Sequence, residues 1–164
     1  MFQGMNLRKL WIGHKLWIGL VVMALAACAE PPPPPTVVNV TVDGAVDLNP
    51  NAAGRPSPTV VRVYYLVSDK TFQDADFFQL FEQETATLGA DLAAKDELMI
   101  SPGASQAVSR ELRDDVRFLG LAASYRDIES ADWRGVVAVP PNQTTAVQAL
   151  LGANSVALSA SPAE

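Results

Sequence analysis

From Thr36 onward the chain is cut into short apolar runs by turn-forming residues, and this constrains the fold more than any other feature. An apolar run with period two buries one face of a strand; a period near 3.6 buries one stripe of a helix. Val38, Val40 and Val42 alternate with Val37, Asn39 and Thr41, which predicts a strand over Thr36–Val42, followed by a turn at Asp43-Gly44. Leu48–Pro58 contains Pro50, Pro56, Pro58, Asn49, Asn51 and Gly54, so it predicts a long, restrained loop. Thr59–Val67 is apolar on both faces except at Arg62, the pattern of a central strand. Only Thr71–Glu84 changes period: Phe77, Leu80, Phe81 and Glu84 recur at helical spacing behind Asp74 or Asp76 as N-cap. Its phenylalanines, from Phe72 to Phe81, read as a face covering the sheet. Further strands are predicted over Glu97–Ser101, Ser105–Leu112, Val116–Tyr125 and Trp133–Val139. Gln143–Leu151, a Gly152–Asn154 turn and Ser155–Ser159 read as a last hairpin, although Ala146–Leu151 also suits a helix. The sum is a mainly β chain: a two-sheet antiparallel β-sandwich of about seven or eight strands with one short added helix.

Upstream of this region lies a different kind of segment. Arg8, Lys9 and Lys15 precede an uncharged apolar stretch, Leu16–Ala27, of about 12 residues, too short for a membrane span of roughly 20. Lys9–Gly13 recurs at Lys15–Gly19, a local duplication to which no function attaches. The stretch closes on Leu25-Ala26-Ala27-Cys28, with the only cysteine in the chain. This resembles the lipobox of bacterial lipoproteins, which implies a diacylglycerol on the Cys28 thiol and cleavage before it. The expected organisation is a lipoprotein signal peptide at 1–27, a lipidated cysteine and linker at 28–35, a β-sandwich domain at 36–160 and a tail at 161–164. Pro31–Pro35 favours polyproline II, a semi-rigid spacer of roughly 15 Å. Ala29 stands where enterobacterial lipoproteins retained in the inner membrane carry Asp. By that analogy the destination is the outer membrane.

Charge and residue usage exclude several function classes. The formal net charge is −6; three of the 12 basic residues and none of the 18 acidic ones precede Cys28, which leaves 9 against 18, or −9, from Cys28 onward. Such a domain lacks the basic surface that nucleic-acid binding needs, and anionic lipid repels it, so the acyl group must supply the anchoring. His14, the only histidine, lies in the signal segment, and an acylated Cys28 leaves no thiol. Nucleophile–base pairs, zinc sites and disulfides are then out of reach, so no enzyme, cofactor, metal or small-molecule substrate is expected. Asp74-Ala75-Asp76 does not open a calcium loop, because Gln79 and Thr85 stand where glycine and glutamate are required; helix capping accounts for it. Asp114-Asp115 reads as a solvated turn rather than a pair of glycosidase acids. Arg126-Asp127 and Trp133-Arg134 bracket a connection whose geometry ion pairing or stacking would fix.

Seven stretches in order resemble one family: Leu48–Pro58, Val61–Tyr64 with Leu66, Ala75–Phe81, Leu88–Asp91, Pro102-Gly103, Tyr125–Asp127 and Trp133-Arg134. The family is TssJ, the outer-membrane lipoproteins of type VI secretion. Tyr65 departs from a common glutamine and Phe81 from a common tyrosine. The resemblance implies a transthyretin-like sandwich with an added helix, anchored on the periplasmic face of the outer membrane. It implies binding to the periplasmic domain of TssM and, through it, to TssL. It also points to the loop between the first two strands as the contact. The residues agree: prolines lower the entropy lost on binding, Gly54 can take a positive φ, and Arg55 offers a bidentate donor in an acidic domain. The candidate binding residues are Asn49, Pro50, Asn51, Gly54, Arg55 and Pro56. The alternative is a periplasmic glycan- or protein-binding sandwich. Two of the three tryptophans lie before Cys28, which disfavours an aromatic sugar platform.

Overall fold

Alternating valines make β1, Thr36–Gly44, and the β-branched run after Pro58 makes β2, Thr59–Leu66, in a computed structural model that describes residues 31–163. Three short helices follow: α1, Lys70–Asp74; α2, Phe77–Glu82; and α3, Glu84–Leu88. A 3₁₀ turn, Gly89–Asp91, leads to β3, Leu92–Ile100. The remaining strands are β4 (Ser105–Leu112), β5 (Phe118–Ala123), β6 (Arg134–Ala138), β7 (Thr144–Leu151) and β8 (Val156–Pro162). They form two four-stranded sheets, in the orders β4-β1-β7-β8 and β3-β2-β5-β6.

The sandwich core lies between the facing sides of the two sheets. Val38, Val40 and Val42 of β1 and Val147, Ala149 and Leu151 of β7 meet Val61, Val63 and Tyr65 of β2 and Leu119 and Leu121 of β5. Each large apolar side chain fully buried contributes about 1.5–3 kcal/mol. A second cluster occupies the outer face of β2 and β5. There Tyr64, Leu66 and Ala122 are covered by Phe72, Leu80 and Leu88 of the helices. Two covered faces explain why β2 is apolar on both sides. Its central place, between β3 and β5, follows the expectation. Between the sheets, Tyr65 donates to Asp96 at 2.9 Å, and Arg110 of β4 pairs with the same carboxylate. The Arg110 hydrogen bonds hold the Asp96 carboxyl below its usual range, against the opposing effect of burial.

Several expectations need correction. The sheets are not purely antiparallel, because β1 and β7 run parallel, from Val37 opposite Thr144 to Gly44 opposite Leu151. Alternation of apolar residues carries no strand direction. Direction here is set by the β6–β7 crossing, which delivers Gln143 beside Val37 (N–O 3.1 Å) and Asn142 onto the Thr36 hydroxyl (2.8 Å), so both strands start at one pole. The one expected helix is three. Ala75 is extended (ψ 146°) and breaks the first two apart, and Asp76 and Gln79 then close a capping box that starts α2. Asp43-Gly44 is not a turn; the turn falls at Val46-Asp47. A side chain at Gly44 would meet the Ser101 carbonyl at 2.7 Å, so glycine here allows close backbone approach. β3 starts at Leu92, ahead of the expected Glu97, and Ala146–Leu151 is strand.

Candidate functional site

β1 enters the sandwich at Thr36 and leaves it at Gly44, and this defines two poles. Four connections gather at the Gly44 pole. The β1–β2 loop begins there. The β3–β4 turn lies against it, with Gly103 donating to the Gly44 carbonyl at 2.9 Å. The β5–β6 connection joins it where Thr59 donates to the Ser124 carbonyl at 2.7 Å. The β7–β8 turn follows Leu151, the neighbour of Gly44.

The β1–β2 loop is braced from within. Leu48 is fully buried and anchors it to the core. Asn49, only 3% exposed, takes a positive φ of 48°. Its amide donates to the Pro58 carbonyl at 3.0 Å, and its Oδ1 accepts from the Arg126 N–H at 2.8 Å. Asn51 Oδ1 accepts from the N–H groups of Ala53 (2.9 Å) and Arg55 (3.0 Å), a turn closed by Gly54 donating to the Asn51 carbonyl. Gly54 adopts φ 75°, as its place in the loop requires. The candidate residues thus divide. Asn49 works inside the fold, Pro50 and Asn51 are half-buried, and Gly54, Arg55 and Pro56 stand exposed at the tip.

Beside this loop lies a depression of about 730 Å³ lined by Pro50, Asn51, Tyr125, Arg126, Asp127 and Asn154, among others. It is built by three connections. Asp132 and Asn154 tie two of them together (N–O 2.9 Å), and the third is held by Asn49. Tyr125 forms part of the wall; its hydroxyl donates to the Ser155 carbonyl at 2.7 Å, and burial pushes its pKa up to about 12, so it remains a donor. Sequence reasoning found the β1–β2 loop but not the contributions of Tyr125, Arg126, Asp127 and Asn154. Tyr125–Asp127 stood out as one of the family-like stretches, but only strand order decides which loops share a pole. The expected Arg126–Asp127 ion pair is not formed; Asp127 accepts from the Ser130 hydroxyl instead. Trp133-Arg134 does stack, with the guanidinium 4.8 Å from the ring centre, and Phe77 packs edge-on against the same ring. Trp133 is the only tryptophan among the described residues, and these neighbours engage it. Cys28 lies outside the described residues. In Asp74-Ala75-Asp76 and Asp114-Asp115, Asp74 pairs with Lys70, Asp76 caps α2 and Asp115 pairs with Arg113, while only the main-chain carbonyl of Asp114 is engaged, by Arg117.

Residues 36–154 match the family described as type VI secretion lipoprotein, VasD, EvfM, TssJ, VC_A0113. The chain belongs to the TssJ family. The crystal structure of the T6SS lipoprotein TssJ1 from Pseudomonas aeruginosa is 40% identical, with a TM-score of 0.76 over 80% of this chain and 100% of that one. A chain in the structure of the T6SS protein TssM C-terminal domain from EAEC is 27% identical, with a TM-score of 0.62 over 76% of this chain and 98% of that one. Serratia marcescens Lip, a membrane-bound component of the type VI secretion system, shares the fold at 24% identity and a TM-score of 0.71, over 79% of this chain and 99% of that one. No curated protein sequence matches the chain. TssJ proteins are structural lipoproteins, not enzymes, and the matched residues span the sandwich from β1 to the β7–β8 turn.

Proposed function

We propose that the chain is an outer-membrane-anchored periplasmic lipoprotein that holds the periplasmic C-terminal domain of TssM, and through it TssL, in the trans-envelope complex of type VI secretion. The observation that carries this is the opposition of tether and site. The linker enters at Thr36, and the braced β1–β2 loop stands at the other end of β1. The five prolines Pro31–Pro35, at about 3.1 Å each, favour a spacer of roughly 15 Å. A lipid at Cys28 therefore holds the Thr36 pole near the membrane and leaves the loop pole free to meet a partner arriving across the periplasm. The match to a chain in the TssM C-terminal-domain structure supports the same partner.

The loop is suited to binding because its freedom is already restricted. Prolines and the Asn49 and Asn51 hydrogen bonds fix its path, so little entropy remains to be lost on docking. Replacing Asn51–Arg55 with a glycine–serine segment should keep the thermal transition and weaken affinity for the cognate TssM C-terminal domain by about tenfold or more. A folded variant that binds as tightly as wild type would place the interface elsewhere on the sandwich.

A further inference from the structure

Seven of the nine cations from Cys28 onward are engaged inside the domain. Arg62, Lys70, Lys95, Arg110 and Arg113 pair with carboxylates. Arg117 donates to the carbonyls of Asp114 and Val116, and Arg134 to those of Phe72 and Ala75. The side chains of Arg55 and Arg126 have no hydrogen-bond or ion-pair partner among the described residues, and both are exposed. In a domain with twice as many acids as bases, the two cations without an internal acceptor both stand at the Gly44 pole. One is at the tip of the β1–β2 loop and the other is in the wall of the depression beside it.

We propose that this depression is the seat of an acidic side chain from the TssM domain, with Arg126 as its counter-ion and Arg55 as a second cation at the loop tip. This rests on the functional reading above and deepens it by giving the partner segment a charge and a place. The Arg126 main chain is fixed by Asn49, so the root of its side chain is already positioned for a ligand. Asp127, the acid in the lining, is turned to Ser130 and forms no ion pair with Arg126. The side-chain amides of Asn51 and Asn154 have no acceptor among the described residues and add neutral donors to the same wall. At about 730 Å³ the space holds a side chain with its flanking backbone, within the usual range of binding clefts. An Arg fork in a concave wall favours a carboxylate approached bidentately.

The test uses the mature acylated chain in detergent micelles and the cognate TssM C-terminal domain, with affinity measured at low and high salt. Arg126→Glu should leave the thermal transition unchanged, because only the main chain of Arg126 bonds within the fold. It should weaken binding by about tenfold or more and flatten the salt dependence. Arg126→Lys should keep the salt dependence and lose only part of the affinity, since it retains charge without the fork. Wild-type binding together with Arg126→Glu binding within about twofold of it would overturn this inference and leave the functional reading standing. No binding by wild type would overturn both.

Discussion

Asn49 shows how a single side chain can define a loop. It is the buried residue whose two amide atoms join its own loop to Pro58 and to Arg126, 77 positions away. It also takes a left-handed backbone that costs other L-residues roughly 1–2 kcal/mol, and asparagine tolerates it better than alanine. Asn49→Ala should therefore destabilise the domain by about 3 kcal/mol, combining backbone strain with a buried N–H and C=O left unpaired. Asn49→Gly should cost less, because it relieves the strain while losing the same bonds. Urea unfolding midpoints check both. An alanine variant that unfolds at the wild-type midpoint would show that this bracing does nothing. In the sequence Asn49 was legible as a loop residue, but its burial was not, because burial depends on a neighbour supplied by another connection.

At the level of elements, the helical insertion is held by one close contact and one long reach. Phe72 of α1, 1% exposed, lies on Gly120 of β5, where an added Cβ would sit 2.8 Å from its Cζ. Gly120→Ala should cost about 1–3 kcal/mol as Phe72 is pushed off the sheet and off Tyr64, whose ring centre lies 5.4 Å away. Combining Gly120→Ala with Phe72→Leu should recover part of that loss, because the shorter side chain makes room. Denaturation of both variants would show the coupling, and plain additivity would refute it. The long reach is Arg134, which donates to the carbonyls of Phe72 and Ala75 and satisfies the end of α1 where the chain turns extended. That partner explains why α1 stops before α2 where the i, i+3, i+4 pattern suggested one continuous helix. The pattern records which face is apolar. It does not record that an arginine from β6 will take up the carbonyls that a continuing helix would use.

For the whole molecule the decisive arrangement is polar: the chain enters at one end of the sandwich and gathers four connections at the other. With a net charge of −9 from Cys28 onward, the domain has no electrostatic attraction to anionic lipid, so the proposed function assigns membrane attachment to a lipid on Cys28. A Cys28→Ser variant should lose lipid labelling and move from the outer-membrane fraction to the soluble periplasm in cells lacking TssM. Persistence in the membrane fraction of those cells would mean that another feature anchors it. Acyl chains contribute about 0.8 kcal/mol per buried methylene, so the shift should be large.

The sequence by itself determined what is local. Period-two alternation placed β1 and β4 to within a few residues, and the double-sided apolar pattern of Thr59–Val67 marked a central strand, while Ala146–Leu151 stayed open between strand and helix. The sequence narrowed the helix cap to Asp74 or Asp76, and Pro102-Gly103 announced its turn. These properties depend on backbone sterics and on which face each side chain takes, and both are written within a few residues. Only the tertiary structure decided the parallel pairing of β1 with β7, the close approach at Gly44, and the meeting of Asn49, Tyr125, Arg126 and Asn154 at one pole. Those follow from the route by which the chain crosses between sheets, and hydrophobic patterning is blind to strand direction and to crossing order.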